Sequence, residues 1–135
     1  MPQASFALQK AVVAALTADA PTGALIGDRI YDAAPRDAVF PYLTIGQASL
    51  ADWSTGTEAG GEHRLVLHAW SRQRGKKESY AILGAVEAAL HDRGLTLDGH
   101  ALVNLRFEFA EVGRDPDSIT YHGEIRFRAV TEPTA

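Results

Sequence analysis

The chain has 135 residues, 46% hydrophobic and 22% charged, with 13 basic and 17 acidic side chains, a net charge of −4 and no cysteine. That is one ordinary globular domain, long enough to bury a core. It excludes disulfides, thiolate chemistry and a cysteine-built zinc site, and its acidic balance is unlike that of most free-standing nucleic-acid binders. The N-terminus has no signal-peptide pattern, and no apolar run approaches the roughly 20 residues that span a bilayer. The expectation is a soluble cytosolic product with no membrane partner.

From about Ser5 to Ala18, Leu8, Val12, Ala15 and Leu16 fall on one stripe, the spacing of a helix with one buried face. Ser5 is the expected N-cap. Asp19-Ala20-Pro21 ends the helix, because the residue before a proline is pushed out of the helical region. Thr22 to Asp28 reads as a connector, Arg29 to Tyr31 as a short strand and Ala33 to Phe40 as a loop. Tyr42 to Gly46 alternates as a strand with Leu43 and Ile45 on one side. Gln47 to Gly60 is the least regular stretch, so the expected hairpin loop covers about 47–61. Trp53 within it is either folded back onto the domain or an anchor for a partner.

Gly61 to Trp70 then alternates, Leu65, Leu67 and Ala69 against Arg64, Val66, His68 and Trp70, as a strand with one buried face does. A basic turn follows, with Arg72, Arg74, Lys76 and Lys77. It leads into a helix over Glu78 to His91 whose stripe is Ile82, Leu83, Val86, Ala89 and Leu90. Those charges sit at the helix pole that disfavours cations, so helix stability is not their reason. They are either a solvated turn or a contact for an acidic partner or phosphate backbone. Gly94 is the expected residue beyond the helix end, and Asp98-Gly99 is a turn.

Two long strands close the chain. Val103, Leu105, Phe107 and Phe109 are expected on the core side of the first, and Ile119, Tyr121, Ile125 and Phe127 on that of the second. Asp115-Pro116-Asp117 lies between them, making a hairpin. The fold class that results is α+β, a two-layer domain with a mostly antiparallel sheet and two helices packed on one face. The other face carries Thr44, Arg64, His68, Arg106, Glu108, His122, Glu124, Arg126 and Arg128. It is either simply wet or covered by a neighbouring subunit or a lumen.

Catalytic patterns are missing. There is no Gly-x-Ser-x-Gly elbow. The glycines at 56–61 lack the Gly-Lys-Ser/Thr ending of a phosphate loop. His63 and His68 lie five apart on a strand and face opposite ways. His68 and His122 share the polar face if their strands are neighbours, but no further ligands complete a metal site. The expectations are no enzyme, no cofactor and no metal.

The ordered signals resemble a family. They are Leu-Gln-x-Ala-Val-x-x-x-Leu at 8–16, Asp-Arg-Ile-Tyr-Asp at 28–32 and Phe-Pro-Tyr-Leu-Thr-Ile-Gly at 40–46. Trp53, Leu-His-Ala-Trp-Ser-Arg at 67–72 and Gly-Glu-Ile-Arg-Phe-Arg-Ala at 123–129 complete the set. Together, over nearly the whole chain, they resemble the tail terminator or tail-completion proteins of long-tailed bacteriophages and gene transfer agents. The resemblance implies a non-enzymatic virion protein, a homohexameric ring capping the head-proximal end of the tail tube. It implies tube protein and head–tail connector or neck (stopper) protein as partners, and double-stranded DNA passing through the lumen without sequence-specific binding. Trp53, Trp70, Arg72, Arg74, Lys76, Lys77, Arg126 and Arg128 are the candidate partner-binding residues. The alternatives are a small α+β ligand-binding domain with a roomy interior pocket, monomeric or dimeric, and a nucleic-acid binder with steeply salt-dependent affinity.

Overall fold

A computed structural model describes residues 4–134. The first helix, α1 (Ala4–Ala18), buries Ala4, Ala7, Leu8, Val12 and Leu16, the expected stripe. Ser5 lies inside it rather than capping it. The connector expected at 22–28 is instead a second helix, α2 (Ala20–Ile26). Asp19 caps it, accepting from the Thr22 backbone N–H at 3.0 Å and the Thr22 hydroxyl at 2.7 Å. Pro21 therefore ends one helix and opens the next, since its missing N–H costs nothing in a first turn.

The sheet has six strands in the order β1-β2-β3-β6-β5-β4. These are β1 (Ile30–Tyr31), β2 (Tyr42–Asp52), β3 (Gly61–Ser71), β4 (Thr96–Leu97), β5 (His100–Arg114) and β6 (Tyr121–Pro133). The third helix, α3 (Lys77–Leu90), comes after β3. β1 runs parallel to β2 and every other pairing is antiparallel. The fold is thus α+β with a mixed sheet and three helices. The core joins Leu8, Val12 and Leu16 of α1, Ile26 of α2 and Ile82, Leu83, Val86 and Leu90 of α3 to Leu43, Leu65, Leu67, Ala69, Leu105, Ile125, Phe127 and Ala129 of the sheet.

Four local expectations are corrected. The loop expected at 47–61 is nearly half strand. β2 passes a register shift between Ile45 and Ala48 and continues to Asp52, leaving 53–60 as the connection. The shift hides the strand from a period-2 reading. In β5, shifts between Leu102 and Asn104 and between Phe107 and Phe109 turn Val103 and Phe109 outward, 52% and 38% exposed. Ile119, 56% exposed, precedes β6 and lies outside the core, while Thr120 is buried. Asp92 (φ 56°), not Gly94, takes the left-handed position after α3.

Candidate functional site

β3 places the expected binding residues, Arg126 excepted, at two separate ends. Its pairing with β6 runs unbroken from Gly61–Thr131 to Ser71–Tyr121, so its two ends stand roughly 33 Å apart. At the first end, the Arg128 guanidinium lies 5.0 Å from the Trp53 ring centroid, a cation–π geometry. Trp53 is thereby folded back on one side, yet it remains 51% exposed. Arg128 Nε also donates to Glu62 Oε2 at 2.6 Å. Glu62 holds Arg64 at 3.2 Å, and Arg64 in turn reaches Glu108 at 3.2 Å. The Arg128 hydrogen bond, first among these contacts, lowers the Glu62 carboxyl below its ordinary range.

Arg126 sits mid-strand. It donates to Glu124 at 2.6 Å and covers Phe109 at 4.7 Å. The polar face is therefore one face, as the alternation predicts. Rows such as Thr44–His68–Glu124 and Arg64–Arg128–Arg106 cross its strands.

The second end carries Trp70 and Arg72. The Trp70 indole N–H donates to Thr44 Oγ1 at 3.0 Å. Its ring stacks on His122 with centroids 4.1 Å apart and an interplanar angle of 10°, and lies 6.4 Å from Tyr42. Tyr31 and Phe40 extend this aromatic row beyond Tyr42. Arg72 covers the Phe40 ring at 4.3 Å and donates through Nε to Thr120 Oγ1 at 3.1 Å. Thr120 donates onward to Asp117 at 2.7 Å. Arg74, Lys76 and Lys77 are different. They are near or at the N-terminus of α3 and have no ion pair or side-chain hydrogen bond among the described residues. Lys76 stands at the N-cap position without a side-chain cap bond, and Glu78 accepts from Ser71 at 2.7 Å. The expected cluster thus divides into one immobilised cation and three free ones.

His68 and His122 do meet, Nδ1 to Nε2 at 2.7 Å. That bond needs one ring N–H and one bare ring nitrogen, so it exists only while at least one ring is neutral. Burial, reinforced by His122, lowers the His68 pKa below its ordinary 6.5. Burial, reinforced by His100, does the same to His63, which bonds Thr131 at 2.9 Å. Groups held neutral in the fold but protonated when unfolded stabilise it above pH 6.5, and that stability is lost as pH falls. Thermal unfolding is expected to shift downward between about pH 7 and about pH 5. The double variant His63→Gln, His68→Gln should show a flatter profile; an unchanged slope would assign the effect to other groups. No group of three or more possible metal ligands occurs among the described residues.

The aromatic row and the Glu62 hub were not anticipated. Their members are scattered in sequence and converge only through the registers of β2, β3 and β6. The pairing Trp70–His122 becomes visible only once β6 is known to lie beside β3.

Comparison with known proteins sets this geometry in context. The chain matches the family model for tail completion protein gp17 over residues 10–132. It is 30% identical over 125 residues to tail completion protein gp17 of Bacillus phage SPP1, covering 93% of this chain and 92% of that one. Among solved structures it superposes on a chain of the virion of a native gene transfer agent particle with a TM-score of 0.90. The identity there is 33%, over 98% of this chain and 99% of the other. It superposes on the structure of bacteriophage SPP1 gp17 with a TM-score of 0.65 and 29% identity, over 93% and 89% of the two chains. The chain belongs to the gp17 family of tail completion proteins, structural proteins of virion tails rather than enzymes.

Proposed function

We propose that this protein completes a phage-like tail as a homohexameric ring on the head-proximal end of the tail tube. There it stops further addition of tube protein and presents a docking surface to the connector or neck proteins. Double-stranded DNA passes through its lumen without sequence-specific binding. The observation that carries the reading is the end-to-end likeness to a chain that stands within an assembled virion. Family membership supports the tail role. The site chemistry is compatible with it, because the polar face carries ion pairs and aromatic surface suited to contacts between proteins.

Within this reading, Trp53 at one end of the sheet and Arg74, Lys76 and Lys77 at the other serve two different neighbours. A ring placed between tube and neck needs two unlike faces. Light scattering across a concentration series, without and then with the cognate tube protein, tests the proposal. A six-copy species, alone or only with tube, is expected. A monomer that ignores tube protein at every concentration overturns it.

A further inference from the structure

The sheet is edged by two-residue strands that guard only part of their long neighbours. β1 pairs with Leu43 and Thr44 alone, and β4 with His100 and Ala101 alone. The middle of β5 is closed by the end of α3. There the Leu105 carbonyl accepts from the Asp92 N–H at 2.8 Å, and the Phe107 N–H donates to His91 Nδ1 at 3.0 Å. Residues 47–52 of β2 and 109–114 of β5 have no backbone partner on their outer side among the described residues. Open edges of this kind are templates for another strand, and proteins usually blunt them with Lys, Pro or a covering segment. Residues 47–52 contain no Lys, Arg or Pro.

Each open edge is flanked by an apolar cleft on the helix side. Ala48 and Leu50 stand opposite the buried Leu65 and His63. Ala48 shares with the exposed Phe6 a cleft of about 270 Å³, lined also by Val12, Ile45 and Leu65. At the other edge Ala110 and Val112 stand opposite the buried Ile125 and Gly123. They border the exposed Tyr80 and Gly84 of α3 across a cleft of about 250 Å³.

We propose that copies of this chain join by pairing residues 47–52 of one with residues 109–114 of the next, antiparallel, with the two clefts closing on each other. The proposal rests on the ring reading above and names its joint. Through β2-β3-β6-β5 each pairing is antiparallel, so β2 and β5 run in opposite directions. Pairing them across copies continues the alternation head to tail. Two unlike edges make a heterologous contact, the kind that closes rings, whereas β2 on β2 would stop at a dimer with β5 still open.

The offset between the open stretches agrees with closure. Leu50 stands in a row with His63, Ala129 and Leu105, while Val112 stands in a row with Gly123, Ala69 and Leu43. Pairing them slides the next copy by about six residues, roughly 20 Å. Four long strands give each copy a width of roughly 19 Å. That ratio tilts the strands by about 45°, the tilt at which sheets close into barrels.

The test starts from the six-copy species in light scattering. The Trp53 N–H donates to Gly60 across the hairpin. The alternation of an antiparallel ladder therefore aims the Leu50 N–H at the open side. Leu50→Pro should leave the unfolding temperature near that of the wild type and reduce assembly at least tenfold. Because the chain has no cysteine, Cys at Ala48 or Leu50 combined with Cys at Ala110 or Val112 offers an independent trap. Under mild oxidation one such pair should give a covalent ladder up to the full ring, with each single variant stopping at dimer. A Leu50→Pro protein that assembles as well as wild type, with no ladder from any pair, overturns the joint and leaves the ring standing. A wild type that never assembles removes the ring reading and the joint with it.

Discussion

Phe127→Ala is expected to cost about 3–5 kcal/mol, the range for emptying a large aromatic site in a packed core. Phe127 is fully buried at the centre of the sheet. It pairs with Leu65 on β3 and Phe107 on β5, and its ring meets the Phe107 ring edge-on at 6.3 Å. Strands on both sides fix the backbone there, so the surroundings cannot collapse to refill the space. A domain of this kind holds about 5–15 kcal/mol in total, so a large share of the margin goes. Urea unfolding checks this. The midpoint should fall steeply while the slope stays constant. A loss below about 1.5 kcal/mol would mean that the site does repack, because losses that small belong to volume-conserving swaps.

The reversal Arg74→Glu, Lys76→Glu, Lys77→Glu is expected to leave stability unchanged or slightly higher and to reduce attachment to the assembled tail at least tenfold. The three cations have no partners within the described residues, and they cluster at the N-terminal pole of α3. Cations at that pole are unfavourable by a few tenths of a kcal/mol each, and acidic residues there are favourable. Stability and function should therefore move in different directions, which a structural role for these residues would not produce. Wild-type attachment should weaken with added salt, since exposed charges are screened over about 8–10 Å. The neutral triple variant, with Gln at the same positions, should fall between. Attachment at the wild-type level in the reversed protein would remove this cluster from the contact surface. Arg72 is left out of the variant because Phe40 and Thr120 hold it, and changing it would disturb the β3–β6 end itself.

Much of the fold was legible because two periodicities are written plainly into the chain. The stripes of α1 and α3 and the alternation of β3 place Leu8, Val12, Leu16, Leu65, Leu67, Ile82 and Val86 in the core, where they are found. The β5–β6 hairpin came from two alternating runs around Asp115-Pro116-Asp117. The features that stayed hidden lie where one extra residue resets the count. A single bulge disguised the second half of β2 as loop, and two in β5 turned Val103 and Phe109 to the outside. α2 was missed because Pro21 reads as a terminator unless Asp19 is seen to cap a second helix.

The sequence alone determined most of the composition of the two faces, and the family, since ordered short motifs survive where no single one is diagnostic. Only the tertiary structure decided which charges are free. Glu62 neutralises Arg128 from 66 residues away, and Thr120, itself bonded to Asp117, holds Arg72 from 48 residues away, while Arg74, Lys76 and Lys77 find no partner among the described residues. Only the strand order decided that β2 and β5 are left with open edges. An edge is a property of the segment beside a strand, and no local pattern of residues records its neighbour.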